Sequence, residues 1–314
     1  TSDKLGFFVL ATKKKQKLNF ELGGRYDFLD QRVATITRGI VKEIKRYNNN
    51  VTNIGLAGGA KYIFSNKLNL SYNIGYASRN PGINELYSFG LHQGVSGIEE
   101  GDPNLIREES LKNTLSVAGK IKSKMIYEIL YYDQAIENYI FLNPQNQFRT
   151  TIRGSFPVFK YAQTRARILG LDFTSAFLFT ERINASLKAS YLKGTDTQNN
   201  IPLIYLPSNN LFFSFNYQVP RVGKWNQITF EINSKYIFEQ KNILLEQDFA
   251  IPPKGFNLHG VKISGERQLR GQRLNMFLRI DNLFNVSYRD YLNRLRYFAD
   301  DLGINVIMGL NLNF

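Results

Sequence analysis

The last eleven residues, Ile304-Asn-Val-Ile-Met-Gly-Leu-Asn-Leu-Asn-Phe314, carry an apolar side chain at every even-numbered position. The odd-numbered positions are asparagine or glycine, apart from Ile307. Successive residues of a β-strand point to opposite faces of a sheet, so this stretch predicts a strand with one apolar face and one polar face.

The same two-residue period recurs along the chain, for example over 18–22, 68–76, 183–191, 228–232 and 274–281. No stretch of useful length shows a 3.6-residue helical period, so an all-β chain is predicted. About thirteen strands are expected, each long enough at ~3.3 Å per residue to cross a bilayer at a tilt. They lie at about 5–12, 17–28, 51–64, 67–79, 108–121, 124–134, 162–178, 182–194, 209–219, 225–238, 255–267, 272–284 and 303–314.

The connections between these strands alternate strictly between short turns and long loops. The short turns fall at 13–16, 65–67, 122–124, 179–182, 219–224 and 269–272. The long loops fall at about 29–50, 80–107, 135–161, 195–208, 239–254 and 285–302. Outer-membrane barrels place tight turns at the periplasmic end and long loops outside, so the pattern predicts a transmembrane antiparallel β-barrel.

Composition excludes several other classes. The mean hydropathy is −0.29, and no run approaches the roughly 18 consecutive apolar residues that a membrane helix requires. Cysteine is absent and only two histidines occur, which excludes disulfide scaffolds and thiol chemistry and leaves little room for a zinc site. The net charge of +14 suits an anionic partner without identifying it. Neither a cofactor nor a metal site is predicted.

Strand parity makes a prediction about domain organisation. A closed bacterial barrel has an even number of strands with both ends on the periplasmic side, whereas thirteen strands begin outside. Residues 1–314 are therefore predicted to be the C-terminal part of a single β-barrel domain. Charged residues on the polar faces should point inward, because Arg or Lys facing lipid at the midplane costs about 2–4 kcal/mol. These residues are Glu21, Arg25, Lys188, Glu231, Lys235, Arg279 and Asp281.

Two segments carry motifs. The first contains Ser78-Arg-Asn-Pro-Gly-Ile-Asn-Glu-Leu-Tyr87, followed by Gly101-Asp-Pro-Asn-Leu105 and Glu108. The second is Ile280-Asp-Asn-Leu-Phe-Asn285, which precedes the last loop and the strand that ends at Phe314. Together they resemble the paired boxes and the C-terminal signature of TonB-dependent outer-membrane receptors. The residues that carry the resemblance are Arg79, Pro81, Asn84, Glu85, Leu86, Asp102, Pro103, Asn104, Leu105, Asn282, Leu283, Phe284, Asn285 and Phe314.

The resemblance implies a 22-stranded barrel with an N-terminal plug in its lumen, of which this chain would supply about thirteen strands. It further implies a location in the Gram-negative outer membrane and a TonB energy-coupling protein that acts through the plug. The expected function is active import of a scarce nutrient, most simply a ferric siderophore or another small-molecule iron complex. Such a receptor is not an enzyme, and no nucleophile–base arrangement is visible in the sequence.

Three loops supply candidate ligand-binding residues. His92 lies between the two boxes, where the resemblance implies a haem-iron ligand in haem receptors, and Tyr87 precedes it as a second contact. Arginine and aromatic residues in the other two loops suit an anionic, planar ligand. These are Arg149 and Arg153 in one loop, and Arg294, Arg296 and Tyr297 in the last.

Several alternatives stay open at this stage. The loop arginines would equally suit the phosphates of lipopolysaccharide or other outer-membrane lipid, and His92 would equally serve as a simple hydrogen-bonding residue. A haem receptor and a passive outer-membrane pore are the alternative functions, although the motifs disfavour a pore. No nucleic-acid partner is predicted, because the sequence gives no basic face of the required kind. Whether a surface lipoprotein caps the loops is left open.

Overall fold

The computed structural model describes residues 2–36, 44–122, 124–269 and 271–313. The chain forms one large sheet of sixteen strands. Two of these strands, β5 and β6, form a small hairpin within a loop, and β11 is a two-residue strand beside β10. The strands are β1 Ser2–Lys15, β2 Leu18–Ile36, β3 Ile44–Ser65, β4 Leu68–Arg79, β5 Phe89–His92, β6 Gly97–Glu100, β7 Glu108–Ile121, β8 Met125–Thr151, β9 Gly154–Leu178, β10 Ile183–Asp196, β11 Ile201–Pro202, β12 Asn210–Val222, β13 Trp225–Ile237, β14 Phe256–Leu269, β15 Gln272–Asp281 and β16 Asn305–Asn313.

The other thirteen strands stand side by side in chain order, each antiparallel to the next. We call these thirteen strands the wall. The predicted number of strands, about thirteen, is therefore confirmed. Within the described ranges, β1 pairs only with β2 and β16 only with β15, so the sheet does not close on itself. Among these same residues, no helix is long and apolar enough to cross a membrane.

The two faces of the wall differ in chemistry, as the alternation predicts. On one face, paired positions join Ile232 to Val261, Val261 to Ile280 and Ile280 to Val306, so apolar side chains continue across four strands. The next row, on the opposite face, joins Glu231 to Lys262 and Lys262 to Arg279. Large apolar residues on the first face remain exposed, as in Phe213, Leu278 and Met308. The wall thus has one oily face and one polar face.

The loop predicted at 135–161 is wrong, because β8 and β9 continue through it as one long hairpin that turns at 152–153. The strand register shifts between Ile136 and Tyr139 and again between Pro144 and Phe148. At such bulges an extra residue interrupts the ladder and resets the alternation of side chains. The two-residue period is therefore broken in this hairpin even though its strands persist. The loop predicted at 29–50 is shortened in the same way, because β2 reaches Ile36 and β3 begins at Ile44.

The loop at 80–107 also contains regular structure that the sequence did not predict. A single helical turn, α1, spans Ile83–Tyr87, and the β5–β6 hairpin follows it. Strand β6 then pairs in parallel with β9, through Ile98 with Val158 and Glu99 with Phe159. Both Val158 and Phe159 are fully buried. The best-packed apolar core therefore lies among the loops at one end of the wall, and it positions the side chains described next.

Candidate functional site

Arg79 joins the two boxes of the first motif. Its guanidinium donates to Glu85 at 2.8 Å within the first box and lies 3.3 Å from Glu108 at the end of the second. Arg79 and Glu108 are also direct partners across β4 and β7, the two strands that flank the loop. Although burial opposes the charged form, the two carboxylates raise the pKa of Arg79 above its usual value. The arginine therefore fixes both ends of the 80–107 loop.

Short local contacts hold the rest of the first motif. Glu85 accepts a hydrogen bond from the Gly82 N–H at 2.6 Å, which satisfies a free donor at the start of α1. Pro81 and Leu86 are buried beside it. Asn84 donates to the Tyr161 hydroxyl at 3.3 Å, which links α1 to β9.

The second box forms a tight turn against α1. The Asp102 carboxylate accepts from the Asn104 N–H at 2.9 Å, while the Asp102 N–H donates to the Glu85 carbonyl at 2.9 Å. Pro103 is exposed within this turn and Leu105 is half-buried at its end. These contacts give the motif residues a structural role that orders the loop.

The C-terminal signature is a second tight turn. Asn282 is buried, has a φ of 50°, and bonds Val286 through both its amide nitrogen and its oxygen at 2.8 Å. Asn285 accepts from the Ile304 N–H at 2.9 Å and so connects the start and end of the last loop. Leu283 donates its N–H to the His259 carbonyl, and the exposed Phe284 ring packs edge-on against His259. Phe314 lies outside the described residues.

Glu99 on β6 is the meeting point of two loops. Arg294, in a 3₁₀ turn at Arg294–Tyr297, places Nη1 2.8 Å from Glu99 Oε1. His92 at the end of β5 places Nδ1 3.3 Å from the same oxygen. The Glu99 side chain is 7% exposed, whereas that of His92 is 57% exposed. The arginine also stacks over the Phe159 ring at 5.4 Å. Two of the predicted ligand residues are therefore held by one nearly buried carboxylate.

The neighbouring acid, Glu100, holds a third predicted residue. Arg149 on the β8–β9 hairpin places Nη2 2.7 Å from Glu100 Oε1 and stays partly exposed. Arg153 lies apart from this group, in the exposed turn at the tip of the hairpin. Tyr87 stacks on Tyr47 at a centroid distance of 4.5 Å, on the other side of α1. The structure thus brings His92 and Arg294 together on Glu99 and holds Arg149 on the next residue, Glu100, which points to the other face of β6, whereas Arg153 and Tyr87 lie elsewhere.

Arg296 and Tyr297 belong to a buried cluster around Asp248. The side chain of Arg296 is 2% exposed and its guanidinium donates to Asp248 Oδ2, while the Tyr297 hydroxyl donates to Asp248 Oδ1 at 2.5 Å. Tyr205 reaches the Tyr297 hydroxyl at 3.0 Å. Arg296 also lies over the rings of Tyr291 and Tyr297. The cluster connects the loops at 195–208, 239–254 and 285–302.

Burial sets the ionisation of these phenols. Desolvation, followed by the negative charges of the neighbouring groups, raises the pKa of Tyr205 far above its usual value. Desolvation and the hydrogen bond to Asp248 raise the pKa of Tyr297 in the same direction. Both hydroxyls therefore stay neutral in the physiological range and act as hydrogen-bond donors. The Asp248 cluster therefore holds the three loops together throughout the physiological pH range.

Sequence reasoning missed four residues of these clusters: Glu99, Glu100, Asp248 and Tyr205. Acidic residues attract little notice in a search for groups that grip an anion. Their importance comes from contacts between residues as much as 195 positions apart. An aromatic group was also missed, in which Phe249 packs edge-on against Phe148, Phe159 and Tyr297 at 5.2, 5.3 and 5.8 Å.

Chemically, this loop surface offers partly exposed arginines and an exposed imidazole beside aromatic rings. Such groups bind carboxylate, phosphate or planar ligands without covalent chemistry. In the part of the chain that the structure describes, no group of three or more His, Cys, Asp or Glu side chains is arranged to hold a metal ion.

Residues 1–283 match the family model described as TonB dependent receptor-like, beta-barrel. The chain therefore belongs to the β-barrel of the TonB-dependent receptor family. It is an outer-membrane protein of a Gram-negative bacterium, and its oily face is the face that meets lipid. The family consists of receptors rather than enzymes.

Solved structures of the same fold agree with this assignment. The copper transporter OprC superposes with a TM-score of 0.76 at 15% identity, covering 100% of this chain and 48% of OprC. The FrpB iron transporter from Neisseria meningitidis (F5-1 variant) gives 0.67 at 18% identity, covering 100% and 46%. The ferric-catecholate import receptor Fiu from K12 E. coli gives 0.67 at 15% identity, covering 100% and 45%. The chain thus spans about half the length of these proteins. No curated protein sequence matches the chain significantly.

Proposed function

We propose that this chain is the C-terminal part of one barrel in an energy-coupled receptor that imports an iron complex, most simply a ferric siderophore. Support comes from family membership and from three proteins of similar structure, which are a copper transporter, an iron transporter and a ferric-catecholate import receptor. The coupling partner would be TonB, acting through a plug that lies outside residues 1–314.

The observation that carries the cargo proposal is the arrangement around β6. The Arg149 and Arg294 side chains are each partly exposed while adjacent acids hold them in place. Fixing an arginine in advance lowers the entropy cost of gripping an anionic ligand. The buried Phe159 ring supports Arg294 from below and packs edge-on against Phe249, so the arginine rests on a fixed apolar base. We assign first contact to Arg149 and Arg294, with Arg153 at the hairpin tip reaching the ligand from outside. Arg296, by contrast, is committed to Asp248.

The proposal is tested on the full-length protein in detergent by fluorescence titration against ferric siderophores, haem and cobalamin. A double variant, Arg149→Gln with Arg294→Gln, is expected to weaken binding of an anionic siderophore by about 100-fold to 10,000-fold, because each charge-assisted hydrogen bond contributes roughly 1.5–3 kcal/mol and two are lost. The matched control is Lys241→Gln with Lys254→Gln, which removes the same charge from exposed loop positions. Equal affinities in both double variants would remove the site assignment.

Active uptake is separated from passive passage in whole cells. Import of the bound complex should stop when the proton gradient is collapsed, whereas diffusion through a pore continues. Uptake that survives collapse of the gradient would favour the pore.

Haem is the second candidate, and one contact favours it. Glu99 engages His92 Nδ1, and a ring nitrogen held by a carboxylate orients the other nitrogen for a metal. His92→Ala should abolish the Soret shift on haem binding if His92 is the ligand. Unchanged haem affinity would end this alternative while leaving the siderophore proposal intact.

A further inference from the structure

The positive charge of the chain is concentrated at the turn end of the wall. Six segments cover the short turns there, namely 13–17, 65–68, 120–124, 179–183, 219–225 and 266–273, and together we call them the turn rim. By sequence, the turn rim holds fourteen Lys or Arg residues against two Asp or Glu residues. The six predicted loop segments at the opposite end hold fourteen of each. Nearly all of the net charge of +14 therefore belongs to the turn rim.

Most cations of the turn rim that the structure describes also lack a carboxylate partner. Among the rim residues that the structure describes, only Arg273 has a carboxylate within ion-pair distance, and its contact with Glu266 is long at 3.9 Å. The others form no ion pair there, and most are exposed. They are Lys13, Lys14, Lys15, Lys17, Lys67, Lys120, Lys122, Lys124, Arg182, Arg221, Lys224 and Arg267.

The loop end shows the opposite arrangement. Arg149, Arg289, Arg294 and Arg296 each contact a carboxylate at 2.8 Å or closer, and Lys160 contacts Asp102. Loop-end charge is therefore largely balanced within the protein. Most positive charges at the turn rim, by contrast, have no anionic partner among the described residues of the protein.

Aromatic residues on the oily face fix the level of the membrane boundary near the turn rim. Tyr62 packs edge-on against Phe64 at 4.6 Å, and Phe177 against Phe179 at 4.6 Å, each pair close to a short turn. Trp225, on the same rim, pairs with Arg267. Aromatic side chains form girdles at the headgroup level of membrane barrels, and short turns face the periplasm. The basic residues just beyond this girdle therefore lie at the depth of the phosphates of the inner leaflet.

We infer that the turn rim binds anionic phospholipid headgroups of the inner leaflet of the outer membrane. Lys and Arg near a bilayer surface attract anionic lipid, and the attraction falls off within a Debye length. The cations are spread over six successive turns along the edge of the wall instead of forming one compact patch. A ring of lipid matches that spread, whereas a single acidic protein would cover only part of it. This inference concerns the end of the barrel opposite the ligand site.

Trp225 supplies a local probe, because it is the only tryptophan in the 314 residues and its strand neighbour is Arg267. The full-length protein is reconstituted with brominated phosphatidylglycerol or brominated phosphatidylcholine, which quench tryptophan on contact. The signal of Trp225 is the difference between the wild type and Trp225→Phe. Phosphatidylglycerol is expected to bind about threefold or more tightly than phosphatidylcholine at low salt. The preference should vanish near 1 M salt, where the Debye length is about 3 Å.

The decisive variant removes the cations around the probe: Arg221→Gln, Lys224→Gln and Arg267→Gln together. Its matched control, Lys45→Gln with Lys241→Gln and Lys254→Gln, loses the same charge from exposed positions at the loop end. The inference requires the lipid preference to disappear in the first variant and persist in the second.

Lys224→Gln alone, at an exposed turn position, provides a smaller version of the test should the triple variant not fold. Equal quenching by both lipids in the wild type, or a preference that survives in the rim variant, would overturn the inference. Equal quenching combined with capture of the protein by polyglutamate would assign the rim to an acidic protein instead.

Discussion

Arg294 Nη1 lies 2.8 Å from Glu99 Oε1, although 195 residues separate the two in the chain. One belongs to the loop between β4 and β7, and the other to the last loop before β16. Because the Glu99 carboxylate is almost buried, it depends on this arginine for compensation of its charge, and His92 Nδ1 lies 3.3 Å from the same oxygen. The pair therefore joins the loop between β4 and β7 to the loop between β15 and β16.

Arg294→Met should break the contact between the loops at 80–107 and 285–302. The change leaves a nearly buried carboxylate with only His92 beside it, at a local cost of roughly 1–3 kcal/mol. We expect amide hydrogen exchange in the loops at 80–107 and 285–302 to accelerate about 5-fold to 150-fold, with no change in the wall strands. Arg153→Met, at the exposed tip, is the control. Acceleration confined to the last loop would contradict the proposed link.

Asp248→Asn should have a larger effect. The change removes a charge that faces the buried guanidinium of Arg296, and breaking such a pair typically costs about 3–5 kcal/mol. Limited proteolysis should then cut the loop at 239–254 under conditions that leave the wild type intact. The comparison is Asp300→Asn, whose ion pair with Arg289 is exposed to solvent and therefore contributes little to stability. Similar cleavage in both variants would show that burial does not govern the pair.

The buried phenols predict that the protein loses stability at alkaline pH. The pKa of Tyr205 is raised above its ordinary value of 10.0 in the folded protein, so the stability that the neutral phenol contributes is complete below pH 10 and is lost as the pH rises further. In absorbance titrations at the phenolate band, Tyr205→Phe should match the wild type up to about pH 11, because Tyr205 remains un-ionised there. A smaller amplitude in the variant between about pH 10 and 11 would show an ordinary, accessible tyrosine.

Much of the wall was predictable from sequence because a single rule governs it. Each strand must show lipid an apolar side chain at every second residue, and the pattern in 68–76 or 304–312 obeys this without exception. The extended β8–β9 hairpin was not predictable, because bulges near Asn138 and Asn146, both with positive φ, reset its alternation. Beyond the membrane no constraint on alternation remains, so the sequence pattern ends before the strands do.

The candidate site was also only partly predictable from the sequence. The residue types that would grip an anion, such as Arg149 and Arg294, were selected from the sequence alone. Their partners Glu99 and Glu100 were not, since they meet those arginines only after the β5–β6 hairpin docks in parallel on β9. Nor did the sequence separate Arg294, which stays partly exposed, from Arg296, which is buried only two positions later. Which arginine faces a ligand depends on tertiary contacts.

The close approach of Gly101 to α1 gives the sharpest local test. A Cβ at this position would lie 2.5 Å from the Leu86 carbonyl carbon and 2.6 Å from the Tyr87 nitrogen. These are backbone atoms, which cannot move aside as a flexible side chain can, so Gly101→Ala must displace either α1 or the turn at Asp102. Strain of this kind typically costs about 1–3 kcal/mol.

In Gly101→Ala we expect faster hydrogen exchange at Ser88 and at position 101, whose N–H groups donate to the carbonyls of Asn84 and Ser88 in the wild type. Gly94→Ala is the matched control in the same loop, because its Cβ would meet only His92 Nε2, at 3.9 Å. If the two alanine variants exchange alike, the contact between the two boxes is looser than the structure indicates.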